Sequence, residues 1–340
     1  MLERSSPKPT CANCQGGWRF VLPWVVGVVI LTVVPLVFSL LLSLVRWDGM
    51  DYGDIAWVGL DHYREFTRVD ARQPLAEADP WYWHLLGGQP ADPSFYRSLY
   101  NSLVFSGFAV PLGLIVALAL AVLLNTSLRG VGFFRTLFYL PHVLGGVATI
   151  LVWSWIFNPQ FGPINALIAG VYTALDPLVR LGGGQGTSAW PLPSWLMSPV
   201  WCKPAVVVMH VWTAGGAVFV FLAVLQRVDP ATHEAARLDG AGRWDRFYLI
   251  TLPQITPAVM FNLVTGLAAA MQAFNQPYLL YNRAQNDGLL FYVLQLYRCA
   301  FEPPYRLGYA SAMAWVLFAL VLVLALLALL SGRKWVHYES

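Results

Sequence analysis

Between two apolar runs the chain reads Glu234-Ala235-Ala236-Arg237-Leu238-Asp239-Gly240-Ala241-Gly242, and it continues to Ile250-Thr251-Leu252-Pro253. This stretch lies within a charged, helix-favouring island at 228–255. A connection between two apolar helices needs only a few turn residues. The length and helical character of the island therefore predict a surface to which another protein docks.

The composition indicates an integral membrane protein. Of the 340 residues, 57% are hydrophobic and only 11% are charged, whereas a soluble domain carries about 25% charged residues. The net charge of +3 is too small and too dispersed to predict binding to nucleic acid. Membrane lipid is thus the first partner that the sequence predicts.

Six apolar stretches reach the roughly 20 residues that cross a bilayer. They lie at 20–45, 98–124, 134–157, 203–226, 256–280 and 308–330. Only helices satisfy every backbone group within such a segment, so the predicted fold is an all-α bundle with the island between its fourth and fifth spans. The first run is too long for a signal peptide and lacks a cleavage site, which predicts a retained anchor.

Basic residues predict the orientation, because Lys and Arg are denser in cytoplasmic segments. Their density places both termini and the island in the cytoplasm. The predicted organisation is a tail at 1–19, a first span at 20–45, an external loop or small cap at 46–97, a core at 98–331 that contains the island, and a tail at 332–340. The segments 158–202 and 281–307 are also predicted to be external, and the glycines at 182–186 predict a flexible stretch.

The spans contain no Asp or Glu, which argues against an ion-coupled transporter because such proteins usually keep intramembrane carboxylates. The three lysines (Lys8, Lys203 and Lys334) do not stand in a P-loop context. We therefore expect no ATP hydrolysis by this chain, no enzymatic activity and an energy source on another polypeptide. Cys11 and Cys14 have metal-type spacing without a second pair, so we expect incidental thiols and no metal site.

Within the island, Asp229 and Pro230 predict a helix start, 231–239 favour a helix, and Gly240 predicts its end. A second short helix is predicted from about Arg243 to Leu252, ending before Pro253. Helices this short are marginal alone in water, so they need a partner surface. The alternative is an amphipathic helix on the membrane, with Arg237, Arg243 and Arg246 at anionic lipid.

The island resembles the "EAA" loop of permease subunits from binding-protein-dependent ABC importers. The resemblance is carried by Glu234-Ala235-Ala236, Gly240 and Ile250-x-Leu252-Pro253. The resemblance extends over about 20–335. Within this family, the chain resembles sugar permeases of the kind that includes the larger membrane subunit of the maltose importer. The supporting motifs lie at 57–63, 138–141 through 153–157, and 308–314. The chain differs from the family at 281–288, and its segment from Pro230 to Glu234 is one residue shorter.

This resemblance implies a type I ABC importer permease fold in the bacterial inner membrane. The island would hold a coupling helix that docks on the ATPase, with Glu234 as the anchor, Gly240 as the turn, and Ala235 and Ala236 in close packing. The coupling surface would also include Asp239, Ile250, Leu252 and Pro253. The implied partners are a second permease subunit, two ATPases carrying ATP and Mg²⁺, an external solute-binding protein and a sugar; no cofactor is expected in this chain.

The resemblance also places a sugar pathway on the fourth and fifth spans, at His210, Trp212, Thr213, Met271, Gln272, Asn275 and Tyr278. Amides and hydroxyls suit sugar hydroxyls, and Trp or Tyr can stack on a pyranose ring. Alternatively, Gln272 and Asn275 bond across helices, and His210 is a packing residue. The solute could instead be a glycerol phosphate or a polyol, and the alternative from another class is an ion-coupled secondary transporter.

Overall fold

The computed structural model describes residues 14–50, 53, 55–70, 80–86, 88–126, 129–144, 146–181, 186–187, 190–281 and 287–336. Cys11, most of the glycine stretch (182–185) and most of the segment that departs from the family (282–286) lie outside the described residues. Cys14 begins the first helix, so the end of the predicted tail at 1–19 is already helical.

The described residues are mostly helical. In chain order the helices are α1 (Cys14–Val28), α2 (Val34–Leu42), α3 (Asp61–Thr67), α4 (Trp81–Leu86), α5 (Pro93–Leu124), α6 (Val131–Leu144), α7 (Val147–Ile156), α8 (Pro163–Leu181), α9 (Cys202–Trp212), α10 (Gly215–Leu225), α11 (Pro230–Leu238), α12 (Arg243–Arg246), α13 (Leu252–Met271), α14 (Asn275–Leu280), α15 (Tyr292–Phe301) and α16 (Leu307–Gly332). Two short antiparallel pairs join β1 (Val45–Arg46) to β2 (Ala56–Trp57) and β3 (Val69–Asp70) to β4 (Gln89–Pro90).

All six predicted spans fall on long apolar helices or on bent helix pairs. Phe20–Leu42, Pro93–Leu124, Arg243–Leu280 and Leu307–Gly332 are long enough to cross a membrane. The predicted third and fourth spans are each broken: α6 and α7 meet at 104°, and α9 and α10 at 44°. The sequence pattern indicated neither interruption, because a hydropathy average is insensitive to where a helix bends.

α8 also has the length and apolar content of a span, although the sequence assigned it to an external segment. Its start is tied to the chain on both sides, because the Asn165 amide donates to the carbonyls of Pro159 (3.0 Å) and Pro193 (3.1 Å). Trp195 Nε1 in turn donates to Asn165 Oδ1 at 2.8 Å. The chain that leaves α8 therefore returns to the start of α8, which makes the helix one arm of a hairpin.

The helices form two compact units. The first unit comprises residues up to Glu65 together with Cys299–Trp315. In it, Arg306 Nη2 donates to both carboxylate oxygens of Glu65 at 2.7 Å, and the Arg306 guanidinium lies 3.9 Å from the centre of the Tyr309 ring. The Gly308 amide donates to the Trp47 carbonyl at 3.2 Å. The motifs at 57–63 and 308–314 thus belong to one packed unit.

The second unit comprises Phe66–Arg298 and Val316–Ser340, and α5 lies at its centre. Asp92 caps α5 by accepting from the amides of Ser94 and Phe95. Small buried residues recur at about every fourth position of α5, which lets the neighbouring backbones approach closely. These residues are Ser98, Ser102, Ser106, Ala109, Gly113, Ala117 and Ala121. The helices α9, α10 and α13 pack against α5 and bury Met209, Phe221 and Ile255 completely.

Two π-helical turns each precede a proline. Val29–Val33 is followed by Pro35, and Phe247–Thr251 is followed by Pro253. In each case the residue before the proline donates to the carbonyl five residues back. The wider turn accommodates a residue that lacks an amide proton and whose ring would otherwise meet the preceding turn. The predicted helix end before Pro253 is therefore wrong, since the helix continues into α13.

Candidate functional site

The first candidate site is the coupling segment, which we define as residues 230–251. Asp229 Oδ1 accepts from the Ala231 amide at 2.9 Å and Pro230 opens α11, as predicted. At the other end of α11, Gly240 has φ +83°. The Gly240 amide donates to the Arg237 carbonyl at 3.2 Å, and the Ala241 amide donates to the Ala236 carbonyl at 2.9 Å. This pair of bonds is a Schellman motif, so Gly240 ends the helix as predicted.

The coupling segment caps its own first helix but leaves most of its side chains exposed. No residue of α11 is buried, and the Leu238 side chain is 89% exposed. Trp244 and Leu249 in the following turns are also exposed. Exposed apolar side chains rimmed by polar residues mark an interaction surface. Among the described residues, Glu234 has no ion-pair or hydrogen-bond partner, so its carboxylate is available to another chain.

The predicted coupling residues lie along this segment. Glu234, Ala235, Asp239 and Gly240 are exposed, and Ala236 and Ile250 are half-buried. Leu252 and Pro253 form the first turn of α13, which joins the coupling segment directly to the fifth span. A displacement of α11 by a docked protein would therefore be transmitted along α13.

The second candidate site is a cleft where three interrupted helices meet. α6 and α7 are separated at Gly146, α9 and α10 at Thr213, and α13 and α14 at Gln272 to Phe274. Backbone that is not helical at membrane depth is tolerated where it lines a cavity or is buried in protein. The cleft has a volume of about 340 Å³.

Among the described residues, seven of the fourteen that line the cleft have polar side chains, and none is Asp, Glu, Lys or Arg. The lining consists of Pro141, His142, Gly146, Thr149, Ile150, His210, Thr213, Ala269, Ala270, Gln272, Ala273, Phe274, Asn275 and Gln276. Amide, hydroxyl and imidazole groups of this kind exchange hydrogen bonds with an uncharged polar solute. The cleft therefore offers orientation by hydrogen bonding rather than by fixed charge.

Four of the seven predicted pathway residues line this cleft: His210, Thr213, Gln272 and Asn275. Gln272 and Asn275 are exposed, and neither side chain bonds to another described residue, so the described part of the chain gives no support to the alternative of an interhelical bond. The His210 ring contacts Phe105 edge-on at 5.5 Å while it faces the cleft. The His210 ring therefore packs against Phe105 and also faces the cleft, and its part in a solute pathway stays a prediction.

The other three predicted pathway residues lie elsewhere. Met271 is buried, and its sulfur accepts a hydrogen bond from Ser106 Oγ at 3.3 Å. Trp212 packs edge-on against Trp153 at 5.7 Å and lines a neighbouring apolar groove. Tyr278 stacks on Phe274 at 5.0 Å. The directions of these side chains follow from helix packing, which the sequence alone does not give.

His142 is a cleft residue that the sequence analysis did not select. Its Nδ1 lies 3.3 Å from the Thr213 carbonyl oxygen, which can only accept, so a hydrogen bond between them uses the proton on Nδ1. The ring rests on Gly216, where an added Cβ would lie 2.9 Å from the imidazole. His142 thus links the interruption of the third span to that of the fourth. The signal that could have revealed it was glycine pairs within apolar runs, at 145–146 and 215–216.

A polar network closes one end of the second unit, immediately after α14. Tyr281 donates to Asp287 Oδ1 at 2.9 Å, Arg97 forms an ion pair with Asp287, and Arg298 lies 3.4 Å from the Tyr281 hydroxyl. Burial and then the Asp287 carboxylate raise the pKa of Tyr281 to about 12. Tyr281 therefore stays a neutral donor at physiological pH and holds the end of α14 that follows the cleft.

Comparison with known proteins identifies the family. Residues 109–336 match the family described as the inner membrane component of binding-protein-dependent transport systems. The chain belongs to this family. The permease is 33% identical over 327 residues to the probable ABC transporter permease protein YesP of Bacillus subtilis, covering 95% of this chain and 92% of YesP. It is 27% identical to the lactose transport system permease protein LacF of Rhizobium radiobacter, over 94% of each chain.

The fold of the permease is that of a solved transporter. A chain of a bacterial ABC transporter involved in the import of the acidic polysaccharide alginate superposes with a TM-score of 0.72 and 22% identity, covering 94% of this chain and 96% of that one. A second structure of the alginate transporter, in complex with a periplasmic protein that holds an alginate pentasaccharide, gives a TM-score of 0.70. The predicted type I importer permease fold is confirmed.

Proposed function

We propose that this permease carries a saccharide across the inner membrane as one half of an ATP-driven importer. One observation carries the proposal: the cleft at three helix interruptions has a hydrogen-bonding lining without a fixed charge among its members. A glycerol phosphate is disfavoured, because the strongest hydrogen bonds to a phosphate come from Arg and Lys and neither lines the cleft. The similarity to a lactose transport system permease supports a saccharide over a polyol.

The rest of the importer is proposed to lie on other chains. A second related permease would complete the pathway, two ATPases would dock on the two coupling segments, and an external solute-binding protein would deliver the saccharide. Both termini and the coupling segment would face the cytoplasm. In this arrangement ATP and Mg²⁺ belong to the ATPases, and this chain needs no cofactor of its own. The secondary-transporter alternative is wrong because of the family to which the chain belongs.

The proposal is tested with the permease, its partner permease, the ATPases and the receptor reconstituted in vesicles. Lactose, alginate oligosaccharides, glycerol and glycerol 3-phosphate are offered to the receptor in turn. We expect a saccharide to stimulate ATP hydrolysis and uptake, with inhibition by vanadate and indifference to ionophores. Stimulation by glycerol 3-phosphate alone would overturn the saccharide assignment and leave the importer assignment intact.

The cleft residues are tested by Gln272→Ala and Asn275→Ala. Each change removes one side-chain hydrogen-bonding group from the cleft, worth about 0.5–1.5 kcal/mol, and we expect the half-saturating solute concentration for uptake to rise about two- to tenfold. Basal ATP hydrolysis stays unchanged. Gln226→Ala is the matched control, because Gln226 is an exposed glutamine outside the cleft. Equal effects of the three changes would contradict the assignment.

A further inference from the structure

The helix α8 carries an apolar surface that neither candidate site uses. Leu167, Val171, Leu178 and Leu181 are separated by four, seven and three residues, which places them along one side of the helix. We call these four residues the apolar row. Leu167 is 72% exposed and Leu178 is 65% exposed, so the row contacts little of the chain itself.

The side of α8 that bonds to the rest of the protein lies away from the centre of the apolar row, and Leu167 and Val171 border an open apolar groove between the two sides. Asn165 is buried and makes the three hydrogen bonds that tie the start of α8 to the chain on either side. Further along this side, the Tyr172 ring contacts Trp190 edge-on at 5.2 Å, and the Thr187 hydroxyl donates to the Tyr172 carbonyl at 2.6 Å. The rotational setting of α8 is therefore fixed, and the apolar row cannot turn inward.

The third side of α8 is polar and electrically neutral. Asp176 and Arg180 are the charged residues of α8, and they form an ion pair of 2.6 Å. Thr173 is exposed on this polar side, roughly 140° from Leu178 at about 100° per residue. A helix that is apolar on one exposed side and polar on the other is suited to a boundary between hydrocarbon and water.

The depth of α8 follows from its attachments. Asn165 bonds to the carbonyl of Pro159, three residues after the end of α7, and Trp201 is the residue that precedes α9. α8 is thus held at the level where two spans leave the membrane. Trp190 and Trp201 are exposed in the segment that follows α8, and Trp is enriched at the height of the lipid headgroups.

We propose that α8 lies in the membrane interface, with the apolar row inserted among lipid acyl chains. The row is purely aliphatic, whereas the cores of protein interfaces are enriched in aromatic residues, Met and Arg; lipid is therefore the occupant that its chemistry fits. The helix would anchor the hairpin beside the mouth of the pathway. The proposed function places this interface on the outer leaflet of the membrane. The insertion of the apolar row among lipid chains does not rest on that function.

The test places a nitroxide label on single cysteines in the assembled importer, in vesicles of phosphatidylethanolamine and phosphatidylglycerol. Leu167→Cys and Leu178→Cys report on the row, and Thr173→Cys is the matched control on the polar side. All three are made in a chain whose native cysteines are replaced and which still supports ATP hydrolysis by the ATPases of the assembled importer. We expect the two row labels to collide with oxygen and to be shielded from a water-soluble nickel chelate, and the Thr173 label to show the reverse.

Two outcomes overturn the proposal. Row labels that collide freely with the nickel chelate would place the row in water, and row labels shielded from both reagents would place it against a protein partner. The measurement needs neither solute nor ATP turnover. It can therefore fail while the saccharide assignment stands, and it can succeed if that assignment fails.

Discussion

Glu234→Arg is expected to abolish uptake while the permease remains folded. Glu234 is exposed on α11 and has no partner among the residues that the structure describes, so the change costs the isolated chain little. At the proposed ATPase interface, the carboxylate would pair with a basic group. Losing one partner of such a pair costs about 2–5 kcal/mol, which corresponds to at least about 30-fold weaker association. Co-purification of the ATPase with the permease measures this loss directly.

Thr232→Arg is the matched control for this change. Thr232 is also exposed on α11, but it lies about 200° around the helix from Glu234. The substitution Thr232→Arg adds the same side chain to the same short helix and keeps the negative charge of Glu234, the proposed anchor. We expect near-normal co-purification and uptake. If the two variants behaved alike, or if Glu234→Arg retained the ATPase, Glu234 would not be the anchor.

The ends of α11 were predictable because helix capping is local chemistry. Asp229, Pro230 and Gly240 act on backbone groups within a few residues of themselves, so their effect is legible in the sequence. Pro253 was misread for a related reason. A proline ordinarily ends a helix, but here the chain widens into a π turn before it, and the choice between stopping and widening depends on the packing of α13.

The spans were predictable by position but not by shape. Hydrophobic length fixes where a helix can cross, whereas the interruptions depend on contacts such as that of His142 with Gly216. The pathway residues show the same limit. Gln272 and Asn275 reach the cleft because α13 ends before them, while Met271, one residue earlier, is buried against Ser106. A shift of one residue along the chain turns the side chain from a packing position at Met271 to a cleft-lining position at Gln272.

The hairpin of α8 was missed because its tie is made between distant residues. Nothing near Asn165 in the sequence indicates that its amide will join Pro159 to Pro193. The same holds in the first unit, where the motifs at 57–63 and 308–314 were recognisable separately but their packing against each other was not. That packing leads to the prediction with the largest expected effect on stability.

Gly308→Ala is expected to unfold the first unit. A Cβ at Gly308 would overlap the Val45 carbonyl oxygen and would lie 3.1 Å from His62 Nε2 and 3.2 Å from the Leu42 carbonyl oxygen. The backbone cannot withdraw without breaking the bond from the Gly308 amide to Trp47. Overpacking against rigid backbone costs up to about 3 kcal/mol, and occasionally more. Thermal unfolding of the purified permease in detergent and its abundance in membranes measure the effect.

Gly332→Ala is the control for Gly308→Ala, because it introduces a steric clash with a flexible side chain instead of a clash with backbone. A Cβ at Gly332 would overlap the terminal methyl group of Met260 as severely as the one at Gly308 overlaps its carbonyl oxygen. Methionine has three rotatable side-chain bonds and can move its end aside, whereas the Val45 carbonyl is part of the backbone of β1, which pairs with β2, and cannot. We expect Gly332→Ala to unfold within a few degrees of the wild type and Gly308→Ala to unfold far earlier. If both were equally tolerated, the close approach of α16 to β1 in the first unit would not be as tight as the structure shows.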